Sequence, residues 1–242
     1  MLFFHGGGFV KGDLDTHDTQ ARMLRDVTKR YVVSVHYRLA PEHRFPCAHD
    51  DAVDAVRWIG ANANALTGHS SGPTRIAVAG TSAGANLAVG AALALAGTPF
   101  APVAQLLAYP LLHGDPTTQS RTDFADGYGL TSQAIEWLVD QYLTHPAQRQ
   151  DPRFAPALSA DLAALPPTVL VGAGLDPLRD DAREFLGRLR AEGVRTLAFE
   201  EPTLPHGFWK YAALANTVSE AAIRMCEAFR GLLDDTAGPR AP

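Results

Sequence analysis

The chain has 242 residues, 46% of them apolar and 19% charged, enough apolar material to bury a sizeable core. This excludes a disordered tail, a collagen-like chain and a small disulfide scaffold. Acids outnumber bases by 26 to 21, a net charge of −5, and the bases form no run, which argues against nucleic acid as a partner. Cys47 and Cys226 stand far apart in no metal-like spacing and suit a reducing compartment. No stretch approaches the ~20 apolar residues of a membrane span. Met1 runs straight into Leu2-Phe3-Phe4 without a basic segment or cleavage site, so a cytoplasmic protein is expected.

In chain order, Leu2 to Phe4 reads as the end of a strand. A helix follows from a cap at Asp15 or Thr16 to about Lys29. Tyr31 to His36 is a β-branched strand run, and Ala52 to Ala63 carries apolar residues at helical spacing. Arg75 to Ala79 is the next strand and Ala83 to Ala96 the next helix, with Gly97 placed to end it. Ala104–Tyr109, Thr168–Val171 and Val194–Phe199 read as strands. Helices are expected from Pro177 to Glu192 and from Ser219 to Leu233, with a polar tail over Asp234–Pro242.

Such alternation predicts an α/β fold with a mostly parallel sheet covered on both faces. One segment departs from it. His113 to Pro156 is rich in Pro, Asp, Thr and Gln and holds a single amphipathic helix over Leu130–Tyr142, the pattern of a cap rather than a linker.

Gly80-Thr81-Ser82-Ala83-Gly84 is a G-x-S-x-G pattern between an apolar strand and an alanine-rich helix. A serine on that sharp turn needs very small neighbours two residues away, and the helix start directs N–H groups and a positive dipole at developing negative charge. His5-Gly6-Gly7-Gly8 follows a strand, and its glycines let backbone donors approach a ligand closely. Gly7, Gly8 and Ala83 are the expected oxyanion donors. With this elbow the acid and then the histidine come later in the chain, and of nine histidines only His206 lies late enough. Asp176 ends the Thr168–Val171 strand and is the first choice for the acid. Glu200 and Glu201 compete, but lie so close to His206 that a tight local turn would be needed.

The His5–Phe9 loop, Tyr37-Arg38-Leu39-Ala40-Pro41-Glu42 with Phe45-Pro46 and Asp50-Asp51, the Ser82 elbow, Asp176–Asp180 and His206-Gly207-Phe208 follow one another in family order. Together they resemble the bacterial hormone-sensitive-lipase-like carboxylesterases of the α/β-hydrolase fold, over essentially the whole chain. The resemblance implies a Ser82–Asp176–His206 triad that hydrolyses short- to medium-chain esters without metal or cofactor. It also implies a small-molecule ester as the partner, and pairing of two copies as a homodimer through a sheet edge or C-terminal helix.

The Arg38, Glu42, Asp50 and Asp51 charges are expected to form a buried network bracing the site. Phe9, Trp137 and Phe208 are expected to touch substrate, with the 113–150 insertion forming the pocket wall. Residues 1–242 are read as one catalytic domain. Relatives carry a long segment ahead of the glycine loop, so either the reading frame begins late or the first strands and N-terminal cap are absent. An amidase or lactonase would use the same residues, and a truncated, non-catalytic binding protein is the alternative from another class.

Overall fold

The computed structural model describes residues 1–68 and 74–236, and its six strands form one sheet in which every neighbouring pair is parallel. In chain order they are β1 (Leu2–Phe4), β2 (Val33–Val35), β3 (Ala77–Thr81), β4 (Ala104–Ala108), β5 (Thr168–Leu175) and β6 (Thr196–Pro205). Side by side they run β2-β1-β3-β4-β5-β6. The chain steps from β1 outward to β2, then returns past β1 to β3 and continues the other way. The loops leaving β1 and β3 therefore part at the point where the direction reverses, the usual crevice of an open α/β sheet.

Side chains alternate across the strands, and this divides the core in two. Leu2, Phe4, Val78, Leu107 and Leu170 pack on one face with α2 (Cys47–Thr67), α3 (Ala83–Ala94) and α6 (Arg179–Ala191). Phe3, Ala77, Ala79, Leu106, Val169 and Val171 pack on the other with α1 (Asp18–Thr28) and α7 (Asn216–Thr236). Helix α3 is buried continuously from Ala83 to Ala92, because its alanines and glycines let it lie close to both the sheet and α2. Asn86 interrupts that apolar run for a reason. Its amide donates to the carbonyls of Leu111 and Phe154, at 2.9 and 2.6 Å, and so ties α3 to the insertion.

Three expectations change. Helix α1 starts at Asp18, because Asp13 and Thr16 bond to each other in a closed turn instead of capping it. Strand β6 continues past Phe199 to Pro205; it is an edge strand, where proline costs no ladder partner. The motif charges are not a buried network: Arg38 and Asp51 form a forked pair with half of the arginine exposed, and Glu42 and Asp50 face solvent. The polar tail lies outside the described residues from 237 onward. Between β4 and β5 the insertion folds into α4 (Gln119–Asp123), α5 (Ser132–Tyr142) and short 3-10 turns. Thr131 caps α5 by accepting from Ala134 N at 3.0 Å. Among the described residues, no helix is long and apolar enough to cross a membrane.

Candidate active site

Because all six strands are parallel, the loops that follow them open at one edge. Gly6–Gly8 follow β1, Ser82 follows β3, Asp176 follows β5 and His206 follows β6. The register does the fine placement. Leu175 of β5 pairs with Pro205 of β6, so the next residue on each strand, Asp176 and His206, emerge as neighbours.

Ser82 sits at φ 54°, a left-handed backbone that a non-glycine residue adopts only under constraint. Two backbone bonds hold it there: its N–H donates to Ala108 O at 2.9 Å, and its carbonyl accepts from Ala85 N at 3.0 Å. The turn is so tight that a Cβ at Gly84 would run into the carbonyl oxygens of Phe4 and His5. The Ser82 hydroxyl lies 3.0 Å from His206 Nε2, and His206 Nδ1 lies 2.7 Å from an Asp176 oxygen. Asp176 is fully buried, and its other oxygen accepts from Leu178 N at 2.8 Å. Tyr109 presents its ring edge-on to the His206 imidazole at 5.0 Å and to Phe208 at 5.2 Å. Burial, with the nearby Asp176 carboxylate adding, pushes the Tyr109 phenol above its usual range, so it stays neutral beside the imidazole.

The competing acids are engaged elsewhere. Glu200 accepts a forked pair of bonds from Arg183 Nε and Nη2, and both Glu201 oxygens accept from the single nitrogen Arg224 Nη2. Asp180 accepts from Ser120 N at 2.8 Å, and Asp181 accepts from Leu112 N and His113 N at 3.0 Å each. Ser120 also donates to Pro177 O at 2.8 Å. The insertion is thus fastened to the loop that carries Asp176.

Gly7 and Gly8 line a cavity of about 270 Å³ together with Ser82 and His206. Gly7 adopts φ 127°, and a Cβ there would collide with Lys11 O. Among the described residues no backbone acceptor takes the N–H of Gly7, Gly8 or Ala83. His5, ahead of these glycines, is buried and stacked on Tyr37 at 4.3 Å, and the Tyr37 hydroxyl donates to His5 O at 2.7 Å. Tyr37 of the second motif therefore braces the loop.

The expected substrate contacts are corrected. Trp137 is 56% exposed, on the face of α5 turned away from the cavity. Phe9 is buried, stacked on Tyr142 at 4.1 Å. Phe208 is buried against Tyr109 and anchors the His206 loop instead of lining it. The wall is aliphatic: Leu130, Ile135, Leu138 and Val139 of the insertion face Leu111 and Leu178. The i, i+3, i+4 spacing of Ile135, Leu138 and Val139 carried this information, which the larger aromatics obscured. Tyr109, Lys11 and Lys210 are cavity residues that no motif marked. A second cavity, about 480 Å³, opens at the opposite edge beside Met1, Val33 and Ile76, and no His, Cys, Asp or Glu lines it among the described residues.

A family model described as alpha/beta hydrolase fold matches residues 1–210. The chain belongs to that family. Its relatives include a carboxylesterase of Mycobacterium tuberculosis, NlhH, 40% identical over 96% of this chain and 73% of that one. An ethyl acetate hydrolase of Pseudomonas putida is 36% identical over 95% of this chain and 72% of its own. Among solved structures, a thermostable carboxylesterase cloned from a metagenomic library superposes with a TM-score of 0.90 at 36% identity, over 96% of this chain and 79% of that one. This places the α/β-hydrolase chain with the hormone-sensitive-lipase-like esterases that its motifs resemble.

Proposed function

We propose that the protein is a serine carboxylesterase that hydrolyses short- to medium-chain esters, with Ser82, His206 and Asp176 as its catalytic residues. The observation that carries this is His206, whose ring nitrogens stand within hydrogen-bond reach of the Ser82 hydroxyl and the buried Asp176 carboxylate. Ser82 Oγ attacks the ester carbonyl as its proton passes to His206 Nε2. Nδ1–H donates to Asp176, which orients the ring and stabilises its charged form. The tetrahedral oxygen accepts from the N–H groups of Gly7, Gly8 and Ala83. His206 then gives its proton to the leaving alkoxide. Water, deprotonated by His206 in turn, attacks the acyl-enzyme, and the acid departs as Ser82 regains its hydrogen.

The names of the relatives support ester chemistry, and a cavity of about 270 Å³ with aliphatic walls supports small acyl groups. Residues 1–242 act as one catalytic domain, with the 113–150 insertion as its lid. The test combines a panel of 4-nitrophenyl esters of increasing acyl length with a serine-directed fluorophosphonate probe. Turnover highest for short acyl groups, with the probe on Ser82, is expected; labelling of another serine, or no turnover of any ester, contradicts the proposal.

A further inference from the structure

The cavity beside Ser82 has two chemically different sides. The insertion supplies an aliphatic one, and the other carries Lys11, Lys210 and His17, while among the described residues no aspartate or glutamate lines the cavity. In a chain of net charge −5, two lysines without a carboxylate at a catalytic cavity oppose the overall field. Each sits on a loop that also carries the site: Lys11 N donates to Gly7 O at 3.1 Å, and Lys210 N to Gly207 O at 3.1 Å. Among the described residues neither ammonium enters an ion pair. Both lysines are exposed residues that line the cavity, and burial, then the like charge of Lys11, hold the Lys210 ammonium below the usual lysine range. His17 is buried at 1% exposure, and its Nε2 has no partner. Asp13, whose charge reaches His17, has an oxygen committed to Thr16 N at 2.7 Å. An anion in this corner would meet two ammonium groups that, among the described residues, have no carboxylate partner.

We propose that the substrate is an ester with an apolar chain on one half and a carboxylate on the other, and that Lys11 and Lys210 bind the carboxylate and so determine specificity. The inference rests on the esterase reading, because the cavity is shared with Ser82 and His206. The aliphatic wall holds the chain while the lysines hold the charge, which orients the scissile carbonyl between Ser82 and the glycine loop.

The test uses the whole protein and two matched pairs of esters. In one, 4-nitrophenyl butyrate is set against the 4-nitrophenyl monoester of glutaric acid, which puts the carboxylate on the acyl half. In the other, ethyl butyrate is set against the butyryl ester of glycolic acid, which puts it on the alcohol half. In at least one pair the anionic ester is expected to have the higher kcat/KM at low salt. That anionic-to-neutral ratio should fall about tenfold in Lys210→Glu and in Lys11→Glu. It should also fall in the native protein at about 0.5 M salt, where charges are screened within a few ångströms. Neutral esters preferred by one constant factor in native protein, both variants and high salt overturn the inference. A preference for the anionic ester that neither variant moves removes the lysine assignment alone, whereas no ester turnover and no label on Ser82 remove the esterase reading beneath it.

Discussion

At the carboxyl edge of the sheet the chain turns under constraint, whereas at the amino edge the same kinds of residue sit in open space. Ser82 is held in a left-handed conformation, and a Cβ at Gly84 would meet the carbonyl oxygens of Phe4 and His5. Gly97, which closes the turn after α3 at the other edge, also has a positive φ, yet a Cβ there would meet nothing within 4 Å. Both edges have a cavity, and the larger one lies at the edge away from Ser82. Cavity size therefore does not mark the site. What marks it is the expense of the backbone that surrounds it, together with a fully buried carboxylate whose oxygens both have partners.

The comparison breaks most visibly at Asp176. Asp176→Asn is expected to lower kcat about 10,000-fold, measured on a short 4-nitrophenyl ester, because the amide no longer holds the histidine in the required tautomer. A loss of less than about tenfold would hand the acid's role to another carboxylate. Next comes the glycine pair. Gly84→Ala should cost about 3 kcal/mol or more, since its neighbours are backbone and cannot move aside, while Gly97→Ala should cost only about 1 kcal/mol of left-handed strain. Thermal or urea unfolding of the two variants reads the difference directly. Equal costs would mean that the crowding at the elbow is relieved by small shifts.

Smaller effects sharpen the account of the insertion. Leu138→Ala should lower stability by about 2 kcal/mol and move the acyl preference toward longer chains, as it removes part of the cavity wall. Trp137→Ala, one residue earlier on the exposed face, should stay within about 0.5 kcal/mol and leave chain-length preference as it was. A last effect is in pH. Burial first, then Lys210 and His5, hold His17 down at about 4 from its ordinary 6.5. The folded protein thus takes up this proton less readily than the unfolded chain. Stability present above pH 6.5 is lost as pH falls through that window toward 4, by about 3 kcal/mol if the whole shift is realised. His5 and His49 are lowered in the same direction, also by burial. The melting temperature should fall more gently with acid in His17→Gln, and an unchanged slope would contradict this account.

Most of the fold was legible because it rests on local patterns. Strand and helix periods alternate, so the parallel sheet, both covering layers and the order of motifs follow from the residues alone. The convergence of Ser82, Asp176 and His206 was legible for a related reason: each follows a strand, and parallel strands put their ends together. What escaped the sequence depended on contacts across distance. The strand expected over Val194–Phe199 stops short of Pro202 and Pro205, and only the edge position of β6 explains why the strand runs through them. Arg38 and Asp51 gave no sign of lying at the surface. Trp137 drew attention by its size, whereas the cavity is lined by the aliphatic residues two before and one after it. Lys11 and Lys210 carry no motif, and their shared cavity follows from two loops that are far apart in the chain.

The central claim is that Ser82 and His206 work as one unit, and a double-mutant comparison tests it most directly. Turnover of 4-nitrophenyl butyrate is measured for native protein, Ser82→Ala, His206→Gln and the double variant, each checked for folding by circular dichroism. Each single variant should lose at least about 10,000-fold, and the double variant should lose no more than the worse of the two, because a relay already broken cannot break again. Losses that multiply in the double variant, or a single variant that retains near-native turnover, would contradict it.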